Sequence, residues 1–386
     1  MKFLDQLLGR RKARPTAHPP ASGAPLDARI TAIIHDALAS AGLGRDRAQA
    51  GGVAAVIDDA LTRAGLRGPA ADAAHSPTDV PTTHASPLPL PNLREAETQA
   101  RGQFLARTFA SEAGTLAYKV YVPADYDTDP ARRFPLVVML HGCTQSPDDF
   151  AAGTRMNALA HQHGLLVAYP AQSANANGSK CWNWFRPQDQ LRGKGEPALI
   201  AGVTAQVGAD YRVDPARVYV AGLSAGAAMA VVLGRTYPEM FAAVGVHSGL
   251  PYRAAHDVGS AFAAMKGGGA RVTDAGTHAL VPTIVFHGDR DQTVSHANGS
   301  AVIAQLGGGG LAALVQSSEE AGIATGGRRY TRTRYADQAG RPVVEDWRVH
   351  GGGHAWMGGS ASGSYTDPQG PDASAEMLRF FLQHRN

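Results

Sequence analysis

From residue 96 onward, short apolar runs follow one another along the chain, each about the length of a buried strand. They read KVYVP (119–123), PLVVMLHG (135–142), GLLVAYP (164–170), RVYVAG (217–222), FAAVGVHSG (241–249), PTIVFHG (282–288) and VEDWRVHG (344–351). Helical patterns stand between them at 148–163, 197–210, 225–236 and 371–384. A strand exposed on one face alternates apolar with polar residues; a continuous apolar run needs cover on both faces. Runs of this kind separated by helices predict an α/β fold, a mostly parallel twisted sheet with helices on both sides. In such sheets the chemistry collects beyond the carboxyl ends of the strands. The catalytic unit is expected over 96–386.

Two segments precede it. Residues 30–43 (ITAIIHDALASAGL) and 53–66 (VAAVIDDALTRAGL) agree at eight of 14 aligned positions. Ile30, Ile33, Ile34, Ala37 and Leu38 form one helical stripe, repeated by Val53, Val56, Ile57, Ala60 and Leu61. The expectation is a small helical hairpin within residues 1–70, docking on a hydrophobic polymer or self-associating, because two short helices bury little alone. A loosely ordered alanine-rich leader is the competing reading. Residues 71–95 carry Pro77, Pro81, Pro87, Pro89 and Pro91 and read as a linker.

Composition excludes several classes. With a net charge of +3 and 18% charged residues, there is no electrostatic case for nucleic acid. Two cysteines, Cys143 and Cys181, exclude a disulfide-dense scaffold and a four-cysteine zinc site. No apolar run is long enough to cross a bilayer. The N-terminus MKFLDQLLGRRKAR is a poor signal peptide, because its short apolar part precedes the basic cluster.

Chemistry-bearing residues gather at the ends of the runs. Gly222-Leu223-Ser224-Ala225-Gly226 matches the G-x-S-x-G nucleophile elbow, with a strand before it and a helix after. The glycines are expected to permit the sharp turn. A serine needs a base, and the base an orienting acid. Downstream, FHGDRDQTV offers Asp289 and Asp291, and VHGGGHAWM offers His350 and His354. The order Ser, Asp, His suits this fold. Asp291 is preferred because the later carboxylate has more freedom to reach back; Asp289 reads as a turn residue bonding its own backbone. His354 is preferred because three glycines present it on a loop, and His350 reads as strand-end packing. An oxyanion hole needs two backbone N–H groups. Ala225 follows the nucleophile, and Cys143 closes the His141-Gly142-Cys143 turn.

The segments LHGCTQSPDDFAAGTRMNALAHQHGLLVAYP, CWNWF, GLSAGAAMA, FHGDRDQTV, GGGHAWMGGS and GSYTDPQGPDAS together resemble the esterase/PHB depolymerase family. These are polyester-cleaving serine esterases of the α/β-hydrolase fold, related to feruloyl and acetyl xylan esterases. The resemblance spans roughly residues 100–386. Position by position it implies Ser224 as nucleophile, Asp291 as acid, His354 as base, and Cys143 and Ala225 at the oxyanion hole. It implies no metal and no organic cofactor. It favours a Cys143–Cys181 disulfide over two free thiols, and an extracellular or periplasmic protein over a cytoplasmic one. Trp182, Trp184 and Trp356, with His247 and Tyr252, are expected to line an apolar pocket for acyl chains; core packing is the competing reading. No polymer-binding module is visible at the C-terminus. The expected function is a serine carboxylester hydrolase acting on polyhydroxyalkanoate, with feruloyl or acetyl xylan esters as the alternative. A serine peptidase and a non-catalytic binding protein on the same scaffold stand behind these.

Overall fold

A computed structural model describes residues 102–268, 280–306 and 315–386. The expected helical hairpin and linker, residues 1–95, lie outside the described residues. All seven apolar runs form strands. They are β2 (Gly114–Val122), β3 (Phe134–Leu140), β4 (Leu166–Ala171), β5 (Val213–Leu223), β6 (Ala243–His247), β7 (Thr283–Gly288) and β10 (Pro342–Val349). Three further strands complete a ten-stranded sheet: β1 (Gln103–Ser111), β8 (Val315–Ile323) and β9 (Arg329–Ala336), in the order β1-β2-β4-β3-β5-β6-β7-β10-β9-β8. The six strands from β4 to β10 are parallel. Antiparallel strands flank them on both sides. The outermost two, β1 and β8, are exposed along most of their length, as edges are.

Alternation along the central strands divides the core in two. Leu136, Val138 and Leu140 of β3, with Val218 and Val220 of β5, face one layer. Val137 and Met139, with Tyr219, Ala221 and Leu223, face the other. Helices α3 (Gly195–Asp210) and α4 (Ala225–Thr236) cover the first layer. Helices α1 (Pro147–Thr154), α2 (Met156–His163) and α7 (Ala373–Phe381) cover the second. The single helix expected over 148–163 is broken at Arg155, which lies in the left-handed region (φ 55°). Its guanidinium donates to the Gly358 carbonyl at 2.8 Å and so ties the break to a distant loop. Two further helices, α5 (Val258–Ala263) and α6 (Ala297–Leu306), lie between the later strands.

Chain order runs β4, β3, β5 across the sheet centre, so the connections leave in opposite directions between β3 and β5. This switch point opens a crevice at the carboxyl edge. β3 and β5 stay paired up to Leu140↔Gly222. Three residues beyond that pair lie Cys143 on one chain and Ala225 on the other.

The turn from β5 into α4 leaves no room for side chains on its flanks. A Cβ on Gly222 would sit 2.4 Å from the Gly226 carbonyl carbon, and one on Gly226 would sit 2.1 Å from the Leu140 carbonyl oxygen. The positive φ of the turn belongs to Ser224 (φ 59°, ψ −119°) and to neither glycine. The glycines therefore permit the turn, as expected, by allowing close approach and not by taking the positive φ themselves. In an exposed helix, Gly to Ala stabilises by up to about 1 kcal/mol. Gly226→Ala should reverse that sign and lower the unfolding free energy by about 2 kcal/mol or more, because the clash is with backbone; chemical denaturation reads this directly.

Candidate active site

Ser224 stands at the strained corner with its N–H donating to the His247 carbonyl (2.9 Å), while its carbonyl takes the first helical bond from Ala228. It is half-buried. Strain of this kind, on the order of 1–3 kcal/mol, is held by surrounding structure and is typical of reactive positions.

The two candidate acids and two candidate bases sort into two pairs. His354 Nδ1 donates to Asp291 Oδ2 at 2.7 Å, with the Asp291 carboxylate fully buried. Asp291 Oδ1 accepts the Thr293 and Val294 N–H groups at 2.9 and 2.8 Å. Burial alone would raise this carboxyl; hydrogen bonds from His287, His354 and the Val294 N–H outweigh it and hold the group well below the usual carboxylate range. His350 Nδ1 bonds Asp289 Oδ2 at 2.9 Å in a more exposed setting. The difference lies in the far nitrogen. His350 Nε2 is taken by Thr331 Oγ1 at 2.9 Å, whereas His354 Nε2 has no hydrogen-bond partner among the described residues. Among the described residues no hydrogen bond joins Ser224 Oγ to His354. Asp289 also accepts the Gly351 N–H at 2.7 Å. Its role is thus to clamp the glycine loop that carries His354, not to bond its own backbone as expected.

Cys143 and Cys181 form a disulfide, with Cα atoms 4.2 Å apart. The His141-Gly142-Cys143 turn is held from several sides. Gln145 Oε1 accepts the Gly142 N–H (2.9 Å), Trp182 Nε1 donates to the His141 carbonyl (3.1 Å), and the Ser179 carbonyl accepts the Thr144 N–H (2.7 Å). The N–H groups of Cys143 and Ala225 have no protein acceptor among the described residues, and Ala225 opens helix α4, whose dipole adds positive potential.

Behind the turn lies a polar network. His141 Nε2 accepts the Gln172 N–H (3.1 Å), so its proton sits on Nδ1, which donates to the Gly142 carbonyl (2.8 Å). Gln172 Nε2 donates to Glu196, which also accepts from the backbone and side chain of Asn183. Burial, with the nearby Asp189 charge, pushes Glu196 up to about 7 against the hydrogen bonds it accepts. Gln172 and Glu196 escaped sequence reasoning: they lie outside the quoted motifs, Gln172 only two residues past the end of one, and carry no spacing signal. Gln145 and Asn183 were inside quoted motifs without an assigned role.

The expectation that Trp182, Trp356 and His247 wall a pocket is corrected. All three are at most 1% exposed. Trp182 braces the Cys143 turn, and Trp356 donates to Ser374 and packs edge-on against Phe150. Trp184 and Tyr252 keep 6% exposure each. Gln190 holds both: its Nε2 donates to the Trp184 carbonyl, and its own carbonyl accepts the Tyr252 hydroxyl. An aromatic count does not say which way a ring points.

Burial, the dominant cause, lowers His141 to about 4. A histidine that is neutral when folded and ordinary (near 6.5) when unfolded contributes its full stability above pH 6.5. That contribution is lost as pH falls toward 4, because only the unfolded chain takes the proton. The unfolding free energy of the parent minus that of His141→Gln should therefore grow from pH 5 to 6.5, at no more than about 1.4 kcal/mol per pH unit, and be flat above. Denaturant titration across that range checks it.

Comparison with known proteins places the chain in a family. The chain matches the family described as Esterase PHB depolymerase over residues 116–338. It is 35% identical over 257 residues to poly(3-hydroxyalkanoate) depolymerase C of Paucimonas lemoignei, covering 64% of this chain and 60% of that protein. It is 30% identical over 275 residues to poly(3-hydroxybutyrate) depolymerase of Ralstonia pickettii, covering 66% and 55%. Feruloyl esterase B of Neurospora crassa is 37% identical over 135 residues, covering 34% and 43%. The chain thus spans less than two thirds of the length of these relatives. Among solved structures, an acetyl xylan esterase from Aspergillus awamori superposes with a TM-score of 0.55 at 21% identity, covering 66% of this chain and 94% of that one, and shares the α/β-hydrolase fold. The match extends over more than half the chain and takes in strands β3 to β9, the elbow and the Asp291 strand end, so this protein belongs to the esterase PHB depolymerase family.

Proposed function

We propose that the protein is a serine carboxylester hydrolase with Ser224 as nucleophile, His354 as general base and Asp291 as the orienting acid. The observation that carries this reading is the buried Asp291–His354 hydrogen bond, which leaves Nε2 of the base unpartnered. Ser224 Oγ attacks the ester carbonyl carbon as its proton passes to His354 Nε2. The buried Asp291 carboxylate stabilises the imidazolium through Nδ1. The tetrahedral oxyanion accepts hydrogen bonds from the Cys143 and Ala225 N–H groups. Collapse expels the alcohol, which takes the proton from His354, and leaves an acyl-Ser224 ester. Water, activated by the same histidine, then releases the acid and restores the serine.

The preferred substrate class is a short-chain polyhydroxyalkanoate, supported by the names of the two depolymerase relatives with the longest matched spans reported above. Feruloyl or acetyl xylan esters are the second reading, supported by relatives matched over about a third of this chain. The disulfide favours an oxidising compartment, outside the cytoplasm. The repeated apolar stripes of the N-terminal segment are proposed to bind the polymer or a second copy.

Ser224→Ala should lower kcat on a p-nitrophenyl butyrate ester by about 10⁴-fold or more with KM little changed. Asp291→Asn should lose about 10⁴-fold, because the imidazole then takes the wrong tautomer. Asp289→Asn should lose far less. Equal losses at the two aspartates, or full activity in Ser224→Ala, would overturn the assignment. Hydroxybutyrate oligomers, polymer film, feruloyl esters and acetylated xylan, assayed side by side, separate the substrate readings.

A further inference from the structure

His247 is the last residue of β6, paired with Leu223 just before the nucleophile. Its carbonyl receives the Ser224 N–H at 2.9 Å. Its side chain reaches the opposite way, where Nε2 accepts the Met357 N–H at 3.0 Å, three residues past His354. The ring is fully buried. It stacks on Phe286 (centroids 5.8 Å, planes 10° apart) and on Trp356 (5.1 Å, 25°). Nδ1 lies 3.3 Å from Ser248 Oγ. A backbone N–H can only donate, so Nε2 is bare and the proton resides on Nδ1.

The Met357 N–H has few alternatives. Trp356 and Met357 form the short strand β11, paired in parallel with β12 (Thr366–Asp367). The Trp356 and Gly358 N–H groups donate to the carbonyls of Tyr365 and Asp367. The N–H between them points the other way, as successive strand amides do, into the protein interior. There it meets His247. Only a side chain with an acceptor at that reach completes the ladder, and stacking alone does not explain it, since an apolar ring would stack as well.

We propose that His247 is a positioning residue that couples the nucleophile elbow to the base loop. Its backbone holds Ser224, its ring nitrogen holds the segment just past His354, and the separation of the two reacting groups is set through this one residue. The proposal rests on the assignment of Ser224 and His354 above. Burial, reinforced by repulsion from His287 and His354 in their charged forms, lowers the imidazole to about 3, so it stays a neutral acceptor across the working range of an esterase.

The test compares His247→Phe, which keeps a stacked ring without the acceptor, with His247→Gln, whose Oε1 retains an acceptor at similar reach. Both are assayed on p-nitrophenyl butyrate beside Ser224→Ala, with thermal unfolding measured for each. A misplacement on the scale of 1 Å costs about 100-fold in rate. The expected result for His247→Phe is a kcat loss of about that size with KM within twofold, in a protein folded at the assay temperature, and recovery of at least about tenfold in His247→Gln. A folded His247→Phe with kcat within threefold of the parent overturns the coupling. If His247→Phe does not fold, His247→Gln is compared with His247→Asn, which is too short to reach; equal kcat in those two overturns it as well. Activity surviving in Ser224→Ala would instead sink the catalytic assignment on which the proposal stands, so the two failures are told apart.

Discussion

The approach of Gly226 to the carbonyl oxygens of Leu140 and His141 governs the carboxyl edge of the sheet. Because β3 and β5 stay hydrogen-bonded to their last residues, the chain must leave β5 and enter α4 within a single turn. With no Cβ at 222 or 226 the helix settles directly on the end of β3. The conformational strain falls on the one residue between β5 and α4, Ser224, whose N–H is satisfied by the His247 carbonyl. The same approach brings the N–H groups of Cys143 and Ala225, which have no protein acceptor among the described residues, to matching positions past the paired strands. The proposed nucleophile and oxyanion donors are thus consequences of one packing contact, and the proposed base and acid are brought to it by later loops.

The Cys143 turn and the segment past His354 are each held by a buried histidine outside the proposed triad. His141 and His247 are buried and neutral, and each accepts one backbone N–H through Nε2, from Gln172 and Met357 respectively. A carboxylate could accept the same bonds. It would also place a negative charge near the groups proposed to receive a developing oxyanion, where low dielectric magnifies repulsion. A buried neutral imidazole accepts without that penalty, and its flat ring packs against Trp182, Trp356 or Phe286. Asp291, the carboxylate bonded to His354, offsets its burial with two backbone N–H donors and the His354 bond.

Much of this was legible in the chain because the informative features are local. Continuous apolar runs require two covered faces, and that alone predicts the parallel centre of the sheet. Of the strands that went unseen, β1 and β8 are the edges and β9 lies one strand in; residues such as Gln316, Glu319, Arg329 and Arg332 make these runs too polar to give an apolar signal. The break at Arg155 was invisible because a left-handed arginine is stabilised by Gly358, two hundred positions away. Choosing Asp291 and His354 by loop reach selected the buried pair, but nothing in the order of residues showed that Asp289 and His350 would form a pair of their own. The pocket expectation for Trp182, Trp356 and His247 went wrong for the same reason: aromatic content reports how much apolar surface there is, and only tertiary contacts decide where it faces.

Cys143 shows how a covalent constraint and a backbone donor occupy one residue. Its sulfur is bonded to Cys181 while its N–H stays free toward the crevice. In the chain-entropy view a loop of 38 residues closed this way gains about 4 kcal/mol against the unfolded state. The local consequence matters more for the site. The residue after Cys181 is Trp182, whose indole N–H bonds the carbonyl two residues before Cys143. The turn is therefore held at its sulfur and at its backbone by adjacent residues of one segment, and it cannot pivot about either attachment. An oxyanion hole acts by being in place before charge develops. Two points of attachment on a three-residue turn supply that order without placing any reactive group of their own beside the serine.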